Sequence, residues 1–194
     1  GGRFGWSDAG NPPNMGITTF DWGGIPAIFE VRNLWVKPEL NSAPNFKGSR
    51  VGVIVTCDGG EFRGGRGGGI VYDNDGKKLK AFKGDGGFDH FPAFIRAVNS
   101  RNEADVASHL ESAYKSSCLA HLGNISYMEG EEANGKATAK FAGKDSLLEE
   151  AHGHFHDQLE EWSVDQSREL WKIGNELKFD ASSEKFVGGK GYRQ

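Results

Sequence analysis

Apolar positions follow two different rhythms along this chain, and the change falls near residue 90. Before it, apolar residues come in short runs bounded by turn formers. Residues 17–22 and 26–34 carry the β-favouring bulk of Ile17, Phe20, Trp22, Ile28 and Phe29 around Gly23-Gly24, which predicts a β-hairpin. Pro26 has no N–H to donate, so it belongs at a strand start or edge. A looser, proline-containing connection over 37–48 leads to residues 50–57. Val51, Val53, Ile54 and Val55 there predict a strand with both faces largely apolar. The glycine tract 59–69 reads as a flexible loop or bulge feeding a strand at 70–72. Asp73-Asn74-Asp75-Gly76 then reads as a tight turn into a strand at 77–82. Five strands joined by short connections predict an antiparallel sheet.

Beyond residue 90 the period lengthens. Phe91, Phe94, Ile95 and Val98 fall at i, i+3, i+4 and i+7, one face of a helix for which Asp89 is the expected N-cap. The same spacing recurs through Leu110, Tyr114, Cys118, Leu122 and Ile125, predicting a helix over 110–128. Residues 129–144 are polar and read as a loop, with a short strand at 137–141. Asp145 caps a third helix over 146–162, and a shorter helix is expected near 163–173. Residues 177–179 and 184–187 predict two small strands about a turn at 180–183. Strands first and helices after predict a single α+β domain over 1–194. It is expected to be a predominantly antiparallel open sheet with helices covering one face.

Composition narrows the function classes. The 194 residues suffice for one sizeable core, and 13 Phe with 5 Trp argue against disorder. A net charge of −4 with scattered Lys and Arg carries no footprint for nucleic acid, and Arg63 and Arg66 among glycines are a single short stretch. No apolar run reaches the roughly 20 residues of a membrane span. Cys57 and Cys118 form no metal or redox spacing, so a cytoplasmic, reducing compartment is expected.

The candidate chemistry is sparse. Gly64-Gly65-Arg66-Gly67-Gly68-Gly69 leads into a strand and contains no G-x-G-x-x-G, so no Rossmann unit is read in this chain. Residues 73–76 mimic the start of a calcium loop, but its twelfth position is Gly84 instead of Glu. His152 and His156 share a helical face at zinc-pair spacing, yet Gly153 replaces the Glu of H-E-x-x-H. Surface histidines are therefore expected there. His121, near Ser117 and Asn124, is expected to be half-buried and hydrogen-bonded. His90 opens its helix about 100° from Phe91, away from the apolar face, where it acts as a capping group or points at a ligand.

Several segments, in order, resemble the C-terminal domain of the Gfo/Idh/MocA oxidoreductases, the glucose-fructose oxidoreductase and inositol dehydrogenase superfamily. They are Gly2-Arg3-Phe4-Gly5, Phe29-Glu30-Val31-Arg32-Asn33-Leu34, His90 through Arg101, His121 through Tyr127, and the pair Leu177-Lys178-Phe179-Asp180 and Glu184-Lys185-Phe186-Val187-Gly188. The resemblance implies the C-terminal half of an NAD(P)-dependent dehydrogenase acting on a sugar- or polyol-like small molecule. This half would supply one pocket wall, with His90 and Tyr114 as candidate substrate-binding residues, and a homo-oligomer interface on the open sheet. It implies no catalytic, cofactor-binding or metal-binding residue in this chain. NAD or NADP and the acid–base Lys of a Glu-Lys-Pro motif would belong to a Rossmann domain preceding Gly1, and the chain is expected to be inactive alone. Tyr114 stands where the family often has His. The C-terminus after Gln194 also reads as clipped. The alternative is a stand-alone binding or assembly module that has lost catalysis.

Overall fold

A computed structural model describes residues 1–106 and 108–187. In chain order its elements are β1 (Met15–Asp21), β2 (Pro26–Arg32), β3 (Val53–Cys57), β4 (Gly60–Gly65), β5 (Gly68–Tyr72), β6 (Lys78–Lys83), α1 (His90–Ser100), a 3-10 turn (Glu103–Asp105), α2 (Leu110–Met128), β7 (Glu131–Ala133), α3 (Gly135–Ala142), α4 (Ser146–Glu161), β8 (Trp171–Ile173), β9 (Phe179–Asp180) and β10 (Lys185–Phe186). Every strand pairing is antiparallel, no sheet closes, and the protein is α+β. The chain divides into two compact units, Gly1–Ala43 with Ser116–Gln194, and Pro44–Lys115. No helix among the described residues is long and apolar enough to cross a membrane.

The first unit holds the core. β1 and β2 form the expected hairpin, with Pro26 as the first residue of β2, paired to Asp21. Gly2 bridges both Met15 and Trp171, and so links this hairpin to the β7–β8 pair. Phe4, Met15, Leu34, Ala133, Phe155, Leu159 and Trp171 are buried together. Each fully buried large side chain contributes about 1.5–3 kcal/mol through removal of apolar surface from water. Helix α4 supplies the centre of this cluster. Asp145 accepts from the Leu148 N–H at 2.8 Å, and Ala151, Phe155 and Leu159 form its inner stripe. One turn further on, the Gln158 side-chain amide donates to the Leu34 carbonyl at 2.9 Å. Trp162 Nε1 donates to the Trp35 carbonyl, also at 2.9 Å, so the helix end grips the chain leaving β2.

Two expectations for this half are corrected. Residues 137–141 lie in helix α3, because Asn134 accepts from the Ala137 N–H at 3.0 Å and starts a turn rich in alanine and lysine. No helix forms over 163–173. Ser163 adopts a left-handed φ of 52°, Asp165 closes a turn on Ser167, and the chain then enters β8. That route buries Trp171 edge-on against Phe4 at 5.0 Å and pairs it with Ala133. The small strands near the C-terminus form as expected, with Phe179 and Phe186 in edge contact.

The second unit is a meander in the order β3-β4-β5-β6. The glycine tract is largely strand, not the loop its composition predicts. Phe62 lies over Gly64 and Gly69, where a Cβ would come within 2.4 and 2.2 Å of its ring. The glycines are therefore the bed for an aromatic ring. Asp73 accepts from the Asp75 and Lys77 N–H groups, which makes residues 73–76 the expected turn. Asp89 is not the side-chain cap of α1. It pairs with Arg96 at 2.6 Å, while Asp85 accepts from the N–H groups of Gly87 and Asp89 at 2.8 and 3.0 Å.

Candidate functional site

Helices α3 and α4 and strand β8 enclose a cavity of about 70 Å³ in the first unit, lined by Ile17, Thr138, His152, Phe155, Trp171 and Ile173 among others. His152 is buried, which corrects the expectation of a surface histidine. Its Nε2 lies 3.0 Å from Thr138 Oγ1, and that hydroxyl donates to the Gly135 carbonyl at 2.9 Å. Having spent its proton on the carbonyl, the hydroxyl must accept from the imidazole, which assigns the Nε2–H tautomer and leaves Nδ1 with a lone pair. The ring stacks on Trp171 at 5.5 Å, and Trp171 Nε1 is buried with no acceptor. Burial holds the imidazole below the usual histidine range, with His156 adding a smaller push.

The sign of the resulting pH dependence follows. The unfolded chain takes up a proton near pH 6.5, while the folded chain resists until a lower pH, so acidification through that window favours unfolding. Stability measured by denaturant midpoint is expected to fall between pH 7.5 and 5.5, and to fall less in His152→Leu. An equal loss in both proteins would show that His152 is not the group responsible.

With the volume of roughly two waters, this cavity is too small for a sugar or a nicotinamide ring. It is a polar knot that locks α3, α4 and β8 together. The sequence held one usable sign of it. His152 stands three residues before Phe155 and seven before Leu159, on the stripe those two define. His152 shares a helical face with His156 in spacing only, because it turns inward to Thr138. His156, Asp157 and Glu160 do bring ligand atoms within 4.8 Å of one another on the outer side of α4, where such groups are common without an ion.

The residues named for substrate lie in the second unit. His90 is the first residue of α1, is exposed, and stands edge-on to the Phe91 ring at 5.3 Å. Tyr114 lies on α2 and is 48% exposed. An open groove beside the start of α1 is lined by Gly67, Lys83, Gly84, Asp85, Gly86 and Phe88, and stops short of His90. His121 is exposed, not half-buried as expected. Arg63 lies 4.7 Å over the Tyr72 ring and pairs with Glu61, whose carboxyl it holds below the usual range. It is thus engaged within its own sheet. Both cysteines are free.

The structure does contain a strand–glycine loop–helix passage, from β6 through Gly84, Gly86 and Gly87 into α1. It differs from a dinucleotide cradle in two respects. The third fingerprint position is Asp89, and the Asp85 carboxylate already occupies the amides of Gly87 and Asp89, which hold its pKa down. A pyrophosphate there would meet two negative charges in place of free N–H groups.

No family model, curated protein or solved structure matches this chain.

Proposed function

We propose that this chain is the C-terminal domain of a Gfo/Idh/MocA-type NAD(P)-dependent oxidoreductase acting on a sugar- or polyol-like substrate. In this reading it forms one wall of the substrate pocket, with His90 and Tyr114 as contributors, and carries an oligomer interface. The cofactor would be held by a preceding Rossmann domain. Support comes from the ordered run of resembling segments on an α+β frame whose strands are antiparallel.

The first two residues are built into the sheet of the first unit. Gly1 N donates to the Lys172 carbonyl at 3.0 Å and Lys172 N donates to the Gly1 carbonyl at 2.8 Å. Gly2 N donates to Met15 at 2.8 Å on the other side. The first residues are thus interior rungs between β1 and β8. Burial pushes an α-amine at Gly1 down to about 5.

The chain alone is expected to bind NAD, NADP and their reduced forms more weakly than about 1 mM, roughly −4 kcal/mol, by isothermal titration. The product of the intact reading frame is expected to bind one of them and to oxidise a polyol or sugar. Tighter, stoichiometric binding by the isolated chain would overturn the fragment reading. An intact frame with no dinucleotide-binding domain would instead favour the assembly module.

Self-association is the second expectation. β1–β2 pairing places Phe20 and Phe29 on the face opposite Met15 and Ile17, beside Val31, with Trp22 stacked on Phe20 at 6.1 Å. Trp22 and Phe29 are each more than half exposed, an apolar patch of the kind that marks interfaces. Light scattering should give a dimer or larger at micromolar concentration. A strict monomer would remove the oligomer interface from the proposal.

A further inference from the structure

Two apolar faces in the second unit lie exposed within one short tether of each other. The first is the stripe of α1, where Phe91, Phe94, Ile95 and Val98 are 77%, 65%, 56% and 39% exposed. The second is a face of the β3–β6 sheet. Strand alternation and register put Val53, Val55, Phe62, Val71 and Phe82 on it together. Val53, Val55 and Phe82 are each about half exposed, and Phe62 meets Phe82 edge-on at 6.4 Å. With Phe62 laid over Gly64 and Gly69, the middle of this face has little relief.

We infer that α1 is a hinged strap, and that its Phe91-Phe94-Ile95-Val98 stripe seats on the Val53-Val55-Phe62-Val71-Phe82 face of its own sheet. The hinge is Gly86-Gly87, and closing it exchanges the bonds that the Asp85 carboxylate accepts from the Gly87 and Asp89 N–H groups for bonds to water. Gly84 and Gly86 are anchored, donating to the carbonyls of Gly67 and Arg66 at 3.1 Å, while Gly86 and Gly87 take left-handed φ values of 68° and 86°. Glycine can exchange such a conformation for another at little steric cost.

Dimensions agree with the docking. Eleven helical residues span about 16 Å, and four strands at about 4.8 Å spacing make a sheet of similar width. The helix brings no unpaired charge at its hinge end, since Asp89 and Arg96 satisfy each other. Lys80 is the one charged side chain that register places on this sheet face. Its ammonium lies 4.8 Å over the Phe82 ring, and its stem can lie along the sheet while the head reaches water. The occupant is the chain's own helix because a tether of a few residues holds it at millimolar effective concentration, well above that of a second copy at micromolar protein.

The test is thiol protection in the full chain. Val55→Cys is made in a Cys57→Ser, Cys118→Ser background and titrated with a soluble aromatic disulfide. Labelling is expected at least about tenfold slower than in the same protein carrying Phe94→Asp and Ile95→Asp, and the difference should hold from about 1 to 100 µM protein. Fast labelling in both proteins, or protection that survives the two aspartates, would overturn the strap. Protection that strengthens with concentration would assign the cover to a second copy and overturn it equally. Should the double Asp variant lose helix by circular dichroism, Phe91→Ser with Val98→Ser makes the same comparison without new charge.

Discussion

Phe155→Ala is expected to destabilise the first unit by about 3–5 kcal/mol. Phe155 is fully buried among Met15, Leu159, Trp171 and Phe4, on the helix that also grips the chain at Leu34 and Trp35. Removing the ring forfeits its burial and leaves a void that α4 cannot close, because Gln158 and Trp162 hold it in place. All five tryptophans lie in this unit, so indole fluorescence during denaturant unfolding reports on it selectively. Phe141→Ala deletes the same ring from a position 42% exposed and should cost visibly less. Equal midpoints for the two variants would mean that Phe155 is not central to the core.

Gly68→Ala should unsettle the second unit by about 2–4 kcal/mol. Gly68 has a φ of 113°, a region that side chains rarely enter, and an added Cβ would stand 2.1 Å from the Phe82 carbonyl oxygen. The contact is with the backbone of β6, so no rotamer relieves it. β5 would have to separate from β6 or shift its register. Hydrogen exchange at the amides of β5 and β6 is expected to quicken, with little change in indole fluorescence from the other unit. Gly67→Ala is the matched control, since a Cβ there meets nothing within 4 Å. A Gly68→Ala protein as protected as that control would show the sheet to be more pliable than its geometry implies.

The elements that could be read from sequence are those whose signal is local. The β1–β2 hairpin followed from Gly23-Gly24, the Asp73 turn from its carboxylate and Gly76, α4 from Asp145, and α1 from a stripe of four apolar residues. Backbone conformation, caps and periodicity act within a few residues, so the chain declares them. The glycine tract was misleading because its composition permits both loop and strand. The arrival of Phe62 above Gly64 and Gly69 decides between them, and that contact runs between strands. Residues 163–173 were misleading for a related reason. Trp171 is worth more as a core residue paired to Ala133 and Gly2 than as part of a helix, and those partners lie 38 and 169 positions away.

The polar sites divide along the same line. The order of strand-like and helix-like periods along the chain determined an α+β fold with strands preceding most of its helices. Tertiary structure decided that His152 turns inward to Thr138 and Trp171 while Gly153 and His154 face water. It also decided that Asp85, not Asp89, serves the start of α1. A side chain's helical spacing fixes its direction only relative to its own element. Which direction is interior depends on what packs against that element, and for α4 this is set by Met15, Leu34 and Trp171, drawn from both ends of the chain.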